Sequence, residues 1–293
     1  MKYKILLIFT ILVATVLFVG CQDTSDTERE KSAIPKEIIV VTSIAPVTSI
    51  VKSITLNTNI KVQQIVPDNI NAHTFSLSQK DIKAIESSKL IIIYSKELEF
   101  WAEPFIKQNK NVLILNDHIE DFKPIYVNEG KSIINPHTWL DPICTKKQAL
   151  EIEKAISKIS PKNKDKLSKN ANKLTVDLDD LNKYIKELSQ KASKKFIITS
   201  HPSLVYFFKR YPSGTEKSLQ HGDDIEPSIS EINSIINEIK QTKEKTLVIS
   251  EKFINNKIAN MIATETNSKE ILINTMPNNY VKDMISMAET IYK

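Results

Sequence analysis

Glycine is scarce in this chain: four residues in 293, at Gly20, Gly130, Gly214 and Gly222. No two stand close enough to build G-x-G-x-x-G or G-x-x-x-x-G-K-[ST], which argues against a dinucleotide-binding turn of the usual kind and against a P-loop. Cysteine is scarcer still. Cys21 and Cys144 lie far apart in unlike contexts, which excludes a disulfide framework, a C-x-x-C redox pair and a cysteine-built zinc site. Charge of one sign is also lacking, because 40 Lys and Arg face 35 Asp and Glu. The resulting +5 is scattered without a basic run, so nucleic acid is not an expected partner. The length leaves room for one sizeable core or two smaller ones, since domains usually run ~100–200 residues.

Only the N-terminus carries a long uncharged apolar run. Lys2 and Lys4 precede Ile5 to Gly20, which ends at Cys21. A basic start, an apolar stretch shorter than the ~20 residues of a spanning helix and a small residue before the cut describe a secretory signal over residues 1–20. Val19-Gly20-Cys21 resembles the lipobox of bacterial lipoproteins, although Phe18 stands where such boxes usually have leucine. That resemblance implies lipidation of Cys21 and a lipid membrane as a partner; the alternative is an uncleaved membrane anchor. Both put the rest of the chain outside the cytoplasmic membrane. Residues 21–36 are polar and end at Ala33-Ile34-Pro35-Lys36, a flexible tether with a reach of roughly 20 Å.

From Glu37 onward, short Ile- and Val-rich runs alternate with segments of helical period. Ile38–Val41, Val62–Val66, Leu90–Tyr94 and Val112–Leu115 read as strands buried on both faces, and the rhythm returns in Phe196–Ser200, Lys217–Leu219, Thr246–Ser250 and Ile271–Asn274. The fold class is therefore α/β, with two lobes, each a mostly parallel sheet flanked by helices. Between them, Leu167, Ala171, Leu174, Leu178, Leu181, Ile185 and Leu188 recur at spacings of four and three, after Ser160-Pro161 as a helix start. This predicts one helix over 161–192, on the order of 45 Å long. It separates an N-terminal lobe, 37–160, from a C-terminal lobe, 193–293. A coiled coil is the other reading of the same period.

The chemistry rests on five histidines, His73, His118, His137, His201 and His221. His73 lies in the loop after a strand, His137 just before a helix that Asp141 caps and Pro142 opens, and His201 directly after Phe196–Ser200. Ligands of open α/β sheets bind beyond the carboxyl ends of the strands, which is where His73 and His201 fall. Three neutral imidazoles converging there would suit Zn²⁺. Taken singly, each reads more readily as a hydrogen-bonded structural residue than as a ligand, because the separations match no compact metal motif.

Several short motifs stand in one order: Val40-Val41-Thr42-Ser43-Ile44-Ala45-Pro46; Ala72-His73-Thr74-Phe75-Ser76-Leu77-Ser78; Asn135-Pro136-His137-Thr138-Trp139-Leu140-Asp141-Pro142; Thr199-Ser200-His201; and Glu226-Pro227-Ser228. Over residues 37–293 the chain resembles the metal-binding cluster of ABC-transporter solute-binding proteins, the zinc/manganese-uptake lipoproteins. The resemblance implies two lobes joined by one rigid helix, a metal in the cleft, a membrane ABC permease as partner, a monomer and no enzymatic activity. It places ligands on His73, His137 and His201. Histidine at the third position, where manganese-preferring members tend to have Glu, implies Zn²⁺ over Mn²⁺. The fourth position falls on Asn274 where the family often has Asp, so the site is three histidines with Asn274 or water. Any His- and Asp-rich capture loop between the first two ligands is missing.

Glu226 and Glu251 are candidate acceptors for a ligand imidazole N–H, and Glu251 is the carboxylate to watch for a fourth ligand. His118 reads as solvated, His221 as a surface-turn residue with a weak secondary metal contact as the alternative, Ser228 and Glu231 as a capping box, and Cys144 as a small buried hydrophobe. The expectation is an extracytoplasmic, lipid-anchored Zn²⁺ receptor. The alternatives are a manganese- or iron-binding receptor of the same family, a zinc-dependent hydrolase, or a surface adhesin with a structural metal.

Overall fold

The computed structural model of the protein describes residues 37–68, 70–108, 110–119, 125–128, 131–221 and 226–293. The leader, Cys21 and the tether lie outside them. Among the described residues no helix is long and apolar enough to cross a membrane.

The first sheet contains β1 (Ile38–Thr42), β2 (Ile60–Gln64), β3 (Leu90–Ile93) and β4 (Val112–Ile114), parallel throughout in the order β2-β1-β3-β4. Helices α1 (Ala45–Ile54), α2 (Gln79–Ser87) and α3 (Glu103–Lys107) connect these strands. Ser78 and Asp81 form a capping box at the start of α2. All four residues of β3 are buried, as an uninterrupted Leu-Ile-Ile-Ile run requires when helices cover both sheet faces. An antiparallel hairpin follows, β5 (Ile125–Asn128) with β6 (Lys131–Ile134), which the strand pattern had not indicated.

Two long helices come next, α4 (Pro142–Ile159) and α5 (Lys164–Lys191). The expected helix start shifts: Ser160 precedes a 3₁₀ turn over Pro161–Asn163, and its hydroxyl accepts from Asn163 Nδ2 at 2.7 Å instead of capping the α-helix. The seam is otherwise as read. Leu167, Ala171, Leu174, Leu178, Leu181 and Ile185 are buried.

The second sheet contains β7 (Lys195–Thr199), β8 (Gly214–Ser218), β9 (Lys245–Glu251) and β10 (Lys269–Ile273), again parallel, in the order β10-β9-β7-β8. Its helices are α6 (Val205–Arg210), α7 (Ile229–Gln241), α8 (Lys257–Thr266) and α9 (Tyr280–Tyr292). Read from its first strand outward, each sheet repeats the same winding. The α5 seam packs on α4, α1 and α9 of the same chain, which answers the coiled-coil reading. One apolar cluster runs from β1, β3 and α1 through α4 and α5 to β7, β9 and α9. Smaller clusters fill the outer face of each sheet.

Gly214 is the one described glycine that the backbone demands. Its φ is +136°, and a Cβ there would sit 1.9 Å from the Lys195 carbonyl oxygen. At Asn57 and Asn267, asparagine takes the left-handed conformation instead, with φ of 60° and 50°.

Candidate metal centre

Three loops deliver three imidazoles to one point. His73 sits in a 3₁₀ turn (Ala72–Thr74) after β2, where Asn71 Oδ1 accepts the His73 backbone N–H at 3.0 Å. His137 follows the hairpin, and the same Asx geometry recurs, with Asn135 Oδ1 accepting the His137 N–H at 3.0 Å. His201 ends the turn out of β7 and is 2% exposed. The ring centroids form a nearly regular triangle with sides of 5.4, 5.5 and 4.8 Å. Ligand nitrogens of all three rings lie within 4.8 Å of one another.

Asn135 sets the orientation of one ring. Its Oδ1 lies 2.7 Å from His137 Nδ1, and because that oxygen also accepts a backbone N–H, the ring must donate from Nδ1. The Nε2 lone pair is then left facing His73 Nε2, 3.4 Å away. A tetrahedral ion with metal–nitrogen bonds of about 2.0–2.1 Å spaces its nitrogens at roughly 3.3 Å, so the pair stands at ligand spacing. The Asn135 amide nitrogen reaches in the other direction and donates to the Pro202 carbonyl at 2.7 Å, next to His201.

Glu251 is the carboxyl group of the site. Its carboxylate, 1% exposed at the end of β9, accepts from Ser203 Oγ at 2.7 Å and from Thr275 Oγ1 at 2.8 Å. One of its oxygens lies 3.8 Å from His201 Nδ1. In this winding the strand order reverses between β7 and β9, so His201 and Glu251 flank the crevice where α/β sheets bind ligands. The cavity is small, about 20 Å³, which suits a single ion better than an organic ligand. Ile70, Phe253, Ile254 and Met276 line it on the apolar side. Phe253 adopts φ of 68°, a left-handed conformation unusual for an aromatic residue, and is 43% exposed.

The other residues singled out in the sequence are placed elsewhere. Asn274 does not join the cavity lining: its amide closes a turn with Met276, accepting from the backbone N–H at 3.1 Å, and it lines a separate depression beside Lys252 and Asp283. Strand alternation is the reason. Ile271 and Ile273 point inward, so Thr275 continues the inner face while Asn274 shares the side of the exposed Leu272. Glu226 is exposed and accepts from Gln220 at 3.5 Å and Asn255 at 3.4 Å. His118 lies on the surface, 3.8 Å from Glu151. His221 pairs with Glu231 at 2.7 Å, and Glu231 closes the capping box with Ser228. The Ser228 hydroxyl and N–H, with His221, pull the Glu231 carboxyl down to about 2. Cys144 is buried, and burial pushes its thiol well up.

Asn135, Ser203 and Thr275 had no assigned role in the sequence reading. Asn135 carried a usable signal, since Asn two residues before a loop histidine is an Asx turn with a second lone pair to offer. Thr275 carried none, because the side it takes follows from the register of β10.

The family model described as "Zinc-uptake complex component A periplasmic" matches residues 40–293. The chain belongs to this family. Its members are binding components and not enzymes, which removes the hydrolase alternative. The chain is 24% identical over 279 residues to the high-affinity zinc uptake system protein ZnuA of Bacillus subtilis (strain 168), covering 91% of this chain and 87% of that one. It is equally 24% identical over 272 residues to the manganese ABC transporter substrate-binding lipoprotein PsaA of Streptococcus mitis, covering 89% and 85%. Among solved structures, the laminin-binding protein Lmb of Streptococcus agalactiae, described as having adhesin and metal-transporting activity, superposes with a TM-score of 0.77 at 24% identity. That match covers 87% of this chain and 98% of Lmb and establishes the shared two-lobed fold.

Proposed function

We propose that this family member captures Zn²⁺ as cargo between its lobes and hands it to a membrane ABC permease. The observation that carries the reading is the buried triangle of His73, His137 and His201. All three donors are nitrogen, a set that suits zinc and is softer than the oxygen-rich sites manganese favours. Relatives named for zinc and for manganese stand at the same identity, so the choice of metal rests on the donor chemistry. In this reading the three imidazoles hold the ion, Glu251 offsets its charge beside His201, and solvent takes the fourth position. Asn274, turned toward Met276, stays outside the donor set. Cleavage of residues 1–20 and lipidation of Cys21 hold a monomer at the outer face of the cytoplasmic membrane. Residues 21–36 act as its tether, 37–160 and 193–293 as its lobes and 161–192 as the joining helix.

Calorimetric titration of the full chain in neutral detergent tests this. One Zn²⁺ binds per chain, tighter than Mn²⁺, and alanine at His73, His137 or His201 abolishes the isotherm while Asn274→Ala preserves it. Affinity falls on acidification, because protonated imidazole cannot ligate. Unchanged stoichiometry in His201→Ala sinks the site, and a preference for Mn²⁺ overturns the donor argument.

A further inference from the structure

Three neighbouring strands of the second sheet each open on a lysine: Lys195 in β7, Lys245 in β9 and Lys269 in β10. Lys195 is the direct register partner of Lys245. Lys269 pairs with Leu247, two residues on from Lys245, so all three side chains leave the same face of the sheet. Like charges set opposite one another on adjacent strands destabilise a sheet, so this arrangement carries a cost in the unliganded protein.

The lysines border a cavity of about 480 Å³, within the range of small-molecule sites. Lys293 also borders it, its ammonium paired with Glu289 at 2.6 Å, and the Ser268 hydroxyl is engaged with Thr266 at 2.7 Å. No Asp or Glu lines the cavity. Lys195 is half-buried, and its ammonium donates to the Ile291 carbonyl at 2.8 Å. Burial, and then Lys269 and Lys245, hold it below the usual lysine range. Lys245 and Lys269 are exposed and form no ion pair among the described residues. Helices α7, α8 and α9 end on this side of the sheet, and lysines near helix C-termini are favourable for that reason alone. Lys195 serves that role through Ile291. Lys245 and Lys269 make no such bond, and their charges are left to face the cavity.

We propose that this cavity, at the opposite end of the strands from the histidines, binds a phosphate oxyanion, supplied either as free phosphate or as a phospholipid headgroup. An oxyanion between the strand starts would remove the Lys195–Lys245 repulsion.

The test uses the full chain in phosphatidylcholine nanodiscs, with Lys245→Gln/Lys269→Gln as the variant and circular dichroism as the check on its fold. Inorganic phosphate is titrated against chloride at constant ionic strength while the lysine ε-methylene NMR signals are followed. Saturable shifts at Lys245 and Lys269, with an apparent Kd at least tenfold weaker in a folded double variant, support the free anion. Shifts appearing only when phosphatidic acid is added to the disc support the headgroup. Absence of saturation with either source overturns the proposal, as does an equal response in the variant at its remaining lysines. Should the double variant fail to fold, Lys269→Gln alone decides, with the same tenfold criterion. A lower Tm without any phosphate response in either protein assigns the lysines to the helix ends.

Discussion

Asn135 is the residue through which both lobes address one imidazole: its oxygen fixes the His137 ring and its nitrogen holds the backbone beside His201. Such partners of a ligand imidazole set its tautomer and basicity. Glu251 is held in the same manner, by the hydroxyls of Ser203 and Thr275. Glu99, which does not line the histidine cavity, is a buried acid of another kind. Its two oxygens accept the Tyr94 and Ser95 N–H groups at 3.1 and 2.9 Å, yet burial outweighs these bonds and raises its carboxyl to about 7. A raised carboxyl keeps its proton in the folded state after the unfolded chain has released it. Stability is therefore fully present below about 4.5 and is lost as pH rises through about 7. The full shift from 4.5 to about 7 corresponds to on the order of 3 kcal/mol. Denaturant midpoints measured with chelator across that window should decline in the native chain. In Glu99→Gln the decline should shrink, leaving the part due to Glu216, which burial also raises to about 7. An identical decline in both proteins would show that Glu99 does not titrate there.

Among the elements, α5 contributes most to holding the lobes together. Its inner stripe faces α4, α1 and α9, and Leu178, fully buried midway along it, belongs to the cluster that spans both sheets. Leu178→Ala should cost about 2–5 kcal/mol, and loss of ellipticity and of Trp101 and Trp139 fluorescence should shift together in denaturant. Two separate transitions would show that the lobes unfold independently and that the shared cluster does not couple them. This helix was plain in the sequence because its period is long and unbroken. Seven of the eight sheet strands were legible for a related reason, their Ile- and Val-rich runs; β8 was not, since Gly214–Ser218 holds neither residue and the expected Lys217–Leu219 overlaps it only at Lys217 and Ser218. The β5–β6 hairpin was not, since Ile125–Asn128 and Lys131–Ile134 are short and follow no extended alternation. At the site the histidines could be singled out as residues, but their approach to one another depends on loops from three distant segments. Asn274 shows the limit at its sharpest. A shift of one position along β10 exchanges the inner face for the outer, and only the register showed that Thr275 is the residue turned inward.

At the scale of the whole molecule, the bonds across the cleft bear on how cargo is taken up. Trp139 Nε1 donates to the Thr275 carbonyl at 2.8 Å, Tyr206 donates to the Asn135 carbonyl at 2.8 Å, and Arg210 pairs with the fully buried Asp141 at 2.5 Å. These contacts surround the histidines, and the central apolar cluster continues behind them. Wide hinge opening would expose that cluster and separate Arg210 from Asp141. The movement that remains available without either is local, in the rim loops that carry His73 and Phe253. Small-angle scattering of the full chain in detergent, with Zn²⁺ and with chelator, should therefore give the same radius of gyration within error. The melting temperature should still rise with Zn²⁺, since a ligand at a hundred times its Kd stabilises by about 2.7 kcal/mol. A clear compaction on binding would show that the lobes do rotate about α5 and that the cross-cleft bonds break in the open form. An unchanged radius with no thermal shift would instead count against metal capture at the histidines.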